Sequence, residues 1–97
     1  MIVKFHPEAW DEFDGAIDFY EAQSPGLGAR FEVAIERSAA LIGAMPYGWP
    51  SVGHGVRKCV VKKFPYLILF TIEDEFALIV AVAHQSREPK YWKQRVD

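Results

Sequence analysis

The residues best suited to chemistry lie close together near the C-terminus. Polar, cationic and aromatic side chains follow directly after an apolar run, in the order His84, Gln85, Ser86, Arg87, Glu88, Lys90, Tyr91, Trp92, Lys93 and Arg95. An arginine holds a phosphate or a carboxylate through two parallel hydrogen bonds, and an aromatic ring stacks on a base. A histidine exchanges protons near neutral pH. The cluster therefore indicates a site for an anionic partner, with Arg57 and Lys58 as further cations across the sheet.

Each of these residues also has a purely structural interpretation, and the sequence leaves both open. Arg87 pairs in that case with Glu88 or with an acidic residue of the first helix. Tyr91 and Trp92 then cover an edge of the core, and the histidine at the strand end is a structural one. The single cysteine, Cys59, lies inside an apolar strand and is interpreted as an inert small hydrophobe, because no base stands beside it.

Length and composition exclude several classes of protein. Ninety-seven residues with 51% apolar side chains predict one folded domain, residues 1–97. One cysteine excludes an internal disulfide, and the three histidines show no metal-ligand spacing. Because no phosphate-binding loop, dinucleotide fingerprint or serine elbow is present, we expect no cofactor and no metal. The apolar runs are too short for a membrane span and no signal peptide precedes them, so we expect a cytoplasmic protein.

The charges divide the chain into two halves of opposite sign. Residues 1–53 hold three lysines and arginines against eight carboxylates, a net charge of −5. Residues 54–97 hold eight cations against five carboxylates, a net charge of +3. An acidic front half and a basic back half predict a two-sided molecule whose basic side is suited to an anionic partner.

Periodicity predicts the elements that position the cluster. A short strand at Ile2–Phe5 precedes a helix that begins at His6-Pro7-Glu8 and ends near Ala22, with an apolar stripe that includes Trp10 and Phe13. A second helix runs from Gly26–Gly28 to about Ala44, and a loop rich in glycine and proline follows over Met45–Gly55. Three consecutive strands follow at Val56–Val61, Tyr66–Ile72 and Phe76–Ala83, and a short helix is expected after Pro89.

This order predicts an α+β fold. Two helices joined by a short link pack as an antiparallel hairpin, and three consecutive strands with tight turns form an antiparallel meander. We expect the hairpin to cover one face of an antiparallel sheet that includes the N-terminal strand.

Two motifs resemble those of a known family. The turn Phe64-Pro65-Tyr66 is followed by His84-x-x-Arg87-x-Pro89-x-Tyr91-Trp92-x-x-Arg95. Together with residues spread over the rest of the chain, this pattern resembles the RelE/ParE toxin superfamily, long called plasmid-stabilisation proteins; those residues are Phe13, Ala16, Tyr20, Glu21, Leu27, Gly28, Phe31, Ile42, Pro46, Arg57, Ala81 and Val82.

The resemblance implies a growth-inhibiting toxin of a type II toxin–antitoxin system. Such a toxin is neutralised by a small antitoxin encoded beside it, and the members divide by target. RelE-like members are endoribonucleases that cut mRNA on the ribosome. ParE-like members poison DNA gyrase. A third alternative is an inactive member that retains only antitoxin binding.

The family pattern assigns candidate residues to these alternatives. For a nuclease, the resemblance implies catalytic roles for Arg57, His84, Arg87 and Tyr91. For contact with a target or an antitoxin, it implies Arg57, Lys58, Arg87, Trp92 and Arg95. RelE-like members carry an arginine after the turn tyrosine, where this chain has Leu67. Losing one preorganised cation at a scissile phosphate costs about 10²-fold in rate. This departure, together with the modest net charge, favours the ParE-like role and leaves enzyme activity uncertain.

Overall fold

The computed structural model describes residues 1–96, and Asp97, the last residue of the predicted domain, lies outside them. The elements in chain order are β1 (Ile2–Phe5), α1 (Pro7–Gln23), α2 (Leu27–Ala44), β2 (Ser51–Gly53), β3 (Val56–Val60), β4 (Tyr66–Ile72), β5 (Phe76–His84) and a 3₁₀ helix at Tyr91–Arg95, here called the C-terminal turn. The predicted α+β fold is confirmed, and the predicted helices and strands agree with these bounds to within about two residues.

The strands form one sheet in the order β1-β5-β4-β3-β2. The meander β3-β4-β5 is antiparallel, as predicted. The expectation that β1 joins an antiparallel sheet is wrong in one respect, because β1 pairs in parallel with β5. Parallel neighbours need a long crossover connection, and the helical hairpin with the first meander strands provides it.

The predicted loop at Met45–Gly55 contains a short strand, β2, that was not predicted from the sequence. Ser51 pairs with Arg57, and Gly53 pairs with Val56. Glycines were interpreted as breaking regular structure here, but Gly53 ends the strand β2, and His54 and Gly55 form the two-residue turn of a hairpin. The φ angles of Gly53 and Gly55 are +93° and +74°, in the left-handed region that glycine adopts without steric cost.

Local signals in the sequence set the start of α1. His6 caps the helix, since its Nδ1 accepts a hydrogen bond from the Glu8 backbone N–H at 3.1 Å, and Pro7 occupies the first turn. Phe13 is buried, but Trp10 is 51% exposed, so the predicted apolar stripe is wrong at that position. No helix within residues 1–96 is long and apolar enough to cross a membrane.

Apolar side chains pack on both faces of the sheet. The larger cluster lies between the sheet and the hairpin and includes Phe13, Phe31, Ile35, Ile68 and Phe70. The smaller cluster lies on the opposite face, where Trp92 of the C-terminal turn packs on strand residues that include Leu69 and Val80. The C-terminal segment therefore covers part of a sheet face that the helices leave open.

The two helices approach each other closely at Gly28. A Cβ atom built on Gly28 would lie 2.7 Å from the Ile17 carbonyl oxygen. At the same place the Glu21 carboxylate of α1 accepts hydrogen bonds from the backbone N–H groups of Gly26 and Gly28, at 3.0–3.1 Å. A side chain of α1 thus caps the first turn of α2, where helix N–H groups otherwise lack partners.

We predict opposite effects for two glycine-to-alanine substitutions. Gly28→Ala forces α1 and α2 apart and should lower the free energy of unfolding by about 1–3 kcal/mol. Gly15→Ala, on the open face of α1 with no heavy atom within 4 Å of its Cβ position, should raise it by about 0.5–1 kcal/mol. Urea unfolding of both variants measures the pair, and a stabilised Gly28→Ala would contradict the close approach.

Candidate functional site

The centre of the candidate site is Glu12, an acidic residue on the inner side of α1. Its Oε1 accepts hydrogen bonds from the Val82 N–H at 3.0 Å and from Arg95 Nη1 at 2.9 Å. Its Oε2 accepts the Tyr91 hydroxyl at 2.7 Å and Arg95 Nη2 at 3.0 Å. The Glu12 side chain is 16% exposed and that of Arg95 12%. This is a mostly buried ion pair in which all four hydrogen bonds to the carboxylate come from fixed donors.

The geometry of the sheet explains why this pair exists. Strand β1 ends at Phe5, and the His6 N–H makes the last bond to β5, at the Ile79 carbonyl. Beyond that point no strand within residues 1–96 pairs with β5 on this edge. An irregularity between Leu69 and Phe70 of β4 leaves Val80 as an extra residue. Arg95 Nη1 donates a hydrogen bond to the Val80 carbonyl at 3.0 Å, and Glu12 accepts one from the Val82 N–H. The ion pair therefore makes the backbone hydrogen bonds that a neighbouring strand would otherwise make.

Tyr91 is held by its hydroxyl and is not free for proton transfer. Burial raises the pKa of Tyr91 well above its usual value, and the hydrogen bond to the Glu12 carboxylate raises that pKa further. A general base or acid works best with a pKa near the working pH. Tyr91 therefore acts here as a donor that fixes Glu12.

Arg87 lies on top of this arrangement with its guanidinium directed outward. Its Cζ is 3.8 Å from the centre of the Tyr91 ring, and its Nη1 is 3.9 Å from Glu12 Oε2. The side chain is 51% exposed. Because Arg95 and Tyr91 already occupy the Glu12 carboxylate, Arg87 keeps only a long contact to it. Stacking on the ring orients the planar fork without using its N–H groups.

His84 stands beside Arg87 at the end of β5. Its Nδ1 accepts a hydrogen bond from the Ser86 N–H at 3.0 Å and lies 2.8 Å from Ser86 Oγ. The ring meets that of Tyr66 edge to face, with centroids 5.3 Å apart. This bonding fixes the turn that follows β5 and requires Nδ1 to be unprotonated, so the hydrogen of the neutral ring is on Nε2.

Arg57 does not join this cluster, and it lies on the opposite face of the sheet from its neighbour Lys58. As consecutive strand residues they face opposite sides of the sheet. Arg57 Nη1 donates to the Trp49 carbonyl at 2.7 Å and therefore holds the loop before β2. Arg57 is in register with Phe70, and Phe70 with Ile79. Ile79 lies five residues before His84, about 16 Å along the strand. The expectation that Arg57 joins the C-terminal cluster is therefore wrong, whereas Lys58, which is in register with Leu69 on the face that the C-terminal turn covers, stays a predicted contact residue.

Two other predicted contact residues belong to the scaffold. Trp92 is 3% exposed and packs in the smaller apolar cluster. Arg95 binds the Glu12 carboxylate and the Val80 carbonyl, and its Nε lies 2.7 Å from Glu8 Oε2. The Trp92 indole and the Arg95 guanidinium are therefore not presented to a partner. The burial of these two side chains contradicts the contact roles predicted for them. The roles predicted for the other candidates stay predictions.

The sequence interpretation missed Glu12, although a signal for it exists. Ala9, Phe13 and Ala16 are all buried along the inner side of α1. Glu12 lies three residues after the first of them and four before the last, which places a carboxylate inside an apolar stripe. An acidic residue in that position requires a buried cationic or N–H partner.

We predict that Glu12 and Glu8 differ strongly in their contribution to stability, although both contact Arg95. Glu12→Gln leaves a buried guanidinium without its carboxylate and should lower the free energy of unfolding by about 3 kcal/mol or more. Glu8→Gln is the matched control, because the Glu8 side chain is 60% exposed, and it should cost less than about 1 kcal/mol. Chemical denaturation measures both. Equal losses would show that Glu12 is not the centre of the network.

Tyr91 gives a pH dependence with a definite sign. Its pKa is raised in the folded chain above the value near 10 of an unfolded tyrosine. The contribution of Tyr91 to the free energy of unfolding is complete below pH 10. It is lost as the pH rises above 10, because the tyrosine of the unfolded chain releases its proton first. We predict that Tyr91→Phe makes the fall of melting temperature between about pH 10 and 11 less steep. Tyr47→Phe is the control at a ring that is 69% exposed. An unchanged slope for Tyr91→Phe would contradict the assignment.

The comparisons with known proteins agree with the resemblance. A family model described as the ParE toxin of the type II toxin–antitoxin system parDE matches residues 3–89. A solved structure described as the chromosomal ParDE TA system from P. aeruginosa matches with a TM-score of 0.74 and 20% identity, over 87% of this chain and 95% of that one. No curated protein matches in sequence. At that identity the solved structure supports the fold, and because the family model spans most of the chain, the chain belongs to the ParE toxin family of type II toxin–antitoxin systems.

Proposed function

We propose that the chain is a ParE-like toxin that arrests growth by binding DNA gyrase and that a cognate antitoxin neutralises it. The observation that carries the proposal is the separation of the cations. Arg57 is engaged with the Trp49 carbonyl, Arg95 is buried against Glu12, and Arg87 alone of the three extends outward from the C-terminal cluster. One oriented guanidinium on a rigid scaffold suits the recognition of a protein carboxylate.

The same arrangement argues against the alternative of mRNA cleavage. Cleavage needs charge stabilisation converging on one phosphate, together with a proton donor or acceptor of suitable pKa. Leu67 occupies the position of the expected cation, and it lies opposite Val60 and Ala83 in the sheet. The Tyr91 hydroxyl is bound to Glu12 with a raised pKa. The ribonuclease therefore stays an alternative that the toxicity assays below decide.

Charge and exposed apolar groups support an antitoxin partner of mixed charge. The outer surface of α1 is acidic, with Asp11, Asp14 and Asp18 exposed, and it also exposes Phe19. Arg87 offers the opposite charge at the end of β5. An antitoxin tail that covers the hairpin would meet carboxylates along α1 and a cation at β5. We therefore favour a tail of mixed charge over a purely acidic one.

The cellular setting follows from the same proposal. A target in the DNA replication machinery requires a cytoplasmic toxin, in line with the expectation from the sequence. Plasmid stabilisation stays a prediction, and the similar P. aeruginosa structure is described as a chromosomal system.

Expression of the chain alone in a bacterium tests the target. We expect growth arrest, loss of gyrase supercoiling activity in the presence of the purified chain, and intact mRNA. Cleaved mRNA with normal supercoiling would favour the ribonuclease. Normal growth with confirmed soluble chain would leave only the inactive member that binds antitoxin.

We predict that Arg87 is the residue most needed for toxicity. Arg87→Ala should abolish growth arrest and change the free energy of unfolding by less than about 1 kcal/mol, because the contact to Glu12 is long and half-exposed. Arg87→Lys keeps the charge but loses the planar fork, so it should also lose most of the toxicity. Lys93→Ala, in the same segment, is the control and should stay toxic. Growth arrest by a stable Arg87→Ala chain would contradict the proposal.

A further inference from the structure

Two lysines lie in the turn that joins β3 to β4. The turn is closed at its base, because the Val61 N–H donates a hydrogen bond to the Tyr66 carbonyl at 3.0 Å. Lys62 and Lys63 within it are both exposed. Lys63 has a φ angle of +69°, in the left-handed region that residues other than glycine rarely adopt. A closed turn therefore holds these two cations at one end of the sheet.

A third lysine, Lys90, lies in the segment that follows β5 at the same end of the sheet. The Gln85 N–H joins this segment to the β3–β4 turn by donating to the Pro65 carbonyl at 2.8 Å. Lys90 is exposed, and its φ angle is +63°. Two of the three residues other than glycine with positive φ within residues 1–96 are therefore lysines of this end, and such conformations are concentrated at functional sites. The three lysines are here called the lysine end: Lys62, Lys63 and Lys90.

The lysine end carries positive charges that pair with no carboxylate of residues 1–96. Among the cations of that range, only Arg87 and Arg95 form ion pairs. Glu88 is the one acidic residue in the β3–β4 turn and in the segment from the end of β5 to Val96. Three point charges at one end of the sheet are therefore available to an anionic partner.

The residue type indicates which anion these charges suit. A lysine ammonium is a compact point charge on a flexible stem, and it binds phosphate without the planar geometry that arginine imposes. Lysine is also depleted in protein–protein interfaces, where arginine and the aromatic residues are enriched. The lysine end thus differs from Arg87, whose guanidinium is oriented by stacking on Tyr91. Three unpaired lysines favour the phosphate backbone of a nucleic acid over a protein surface.

We infer that the lysine end contacts the phosphate backbone of the DNA that gyrase holds, while Arg87 contacts gyrase itself. The inference rests on the proposed function, since gyrase acts on duplex DNA and brings that DNA to the bound toxin. Contacts to three phosphates give little affinity for free DNA, because affinity of this kind grows with the number of phosphates neutralised. On gyrase the lysines meet the DNA at a high effective concentration, so the toxin is selective for gyrase that is engaged on DNA.

The affinity of the full chain for gyrase, measured with and without a bound DNA duplex, tests the inference. At low salt we expect the DNA to raise the affinity at least about tenfold. Counterions released from three phosphates should steepen the salt dependence as well. The slope of the logarithm of affinity against the logarithm of salt concentration should be more negative by about 2.7 when DNA is present.

A triple variant isolates the contribution of the lysine end. Lys62→Gln, Lys63→Gln and Lys90→Gln in one chain should change the affinity for gyrase without DNA by less than about threefold. The same variant should lose the increase that DNA gives to the parent chain. Urea unfolding verifies that the variant is folded.

A matched control removes the same charge from three other exposed positions. Lys4→Gln, Arg37→Gln and Lys93→Gln in one chain should keep the increase in affinity that DNA gives. Loss of the increase in this control as well would trace the effect to net charge and would overturn the inference.

The remaining outcomes separate this inference from the proposed function. Equal affinities of the parent chain with and without DNA overturn the DNA contact and leave gyrase as the target. A parent chain that binds gyrase in neither state overturns both. Tighter binding of the free chain to single-stranded RNA than to the gyrase–DNA complex assigns the lysines to the ribonuclease alternative, which also overturns the inference.

Discussion

The ion pair of Glu12 and Arg95 is the interaction on which the rest of this arrangement depends. It joins α1, the unpaired edge of β5 and the C-terminal turn. Val82 lies 70 residues after Glu12 in the chain, and Arg95 lies 83 residues after it. Burying two charges is costly unless the remaining hydrogen-bonding groups are satisfied. Here Val82, Tyr91 and the Val80 carbonyl satisfy them. The constraint behind the pair is geometric, because β1 ends at Phe5 and β5 continues beyond it.

This arrangement divides the cations of the basic half between scaffold and surface. Arg57 and Arg95 donate hydrogen bonds to the backbone carbonyls of Trp49 and Val80. Arg87 is supported from below by Tyr91, and Tyr91 by Glu12, so that its charge faces outward in a fixed direction. A rigid support of this kind orients a binding residue better than a mobile loop does. A single supported guanidinium beside an open strand edge is the basis for proposing protein recognition in a member of the ParE toxin family.

The local features of this fold could be predicted from the sequence, and the long-range pairings could not. Pro7 and the apolar periodicities are local, and the elements predicted from them are present. The parallel pairing of β1 with β5 and the partners of Glu12 depend on contacts between distant segments, which periodicity does not encode. The strand at Ser51–Gly53 was missed because glycines with positive φ serve a hairpin as readily as a loop. In the candidate site, the sequence located Arg87 and His84 but assigned contact roles to the buried Trp92 and Arg95.

A double-mutant cycle on Glu12 and Arg95 measures how strongly these two residues depend on each other. The free energy of unfolding is measured for the parent chain, for Glu12→Gln, for Arg95→Met and for the double variant. Because each single change leaves a buried partner unpaired, we expect a coupling energy of about 2 kcal/mol or more. The double variant should then be more stable than the sum of the two single losses implies. A coupling energy below about 0.5 kcal/mol would mean that the two residues act independently and that the ion pair does not hold these elements together.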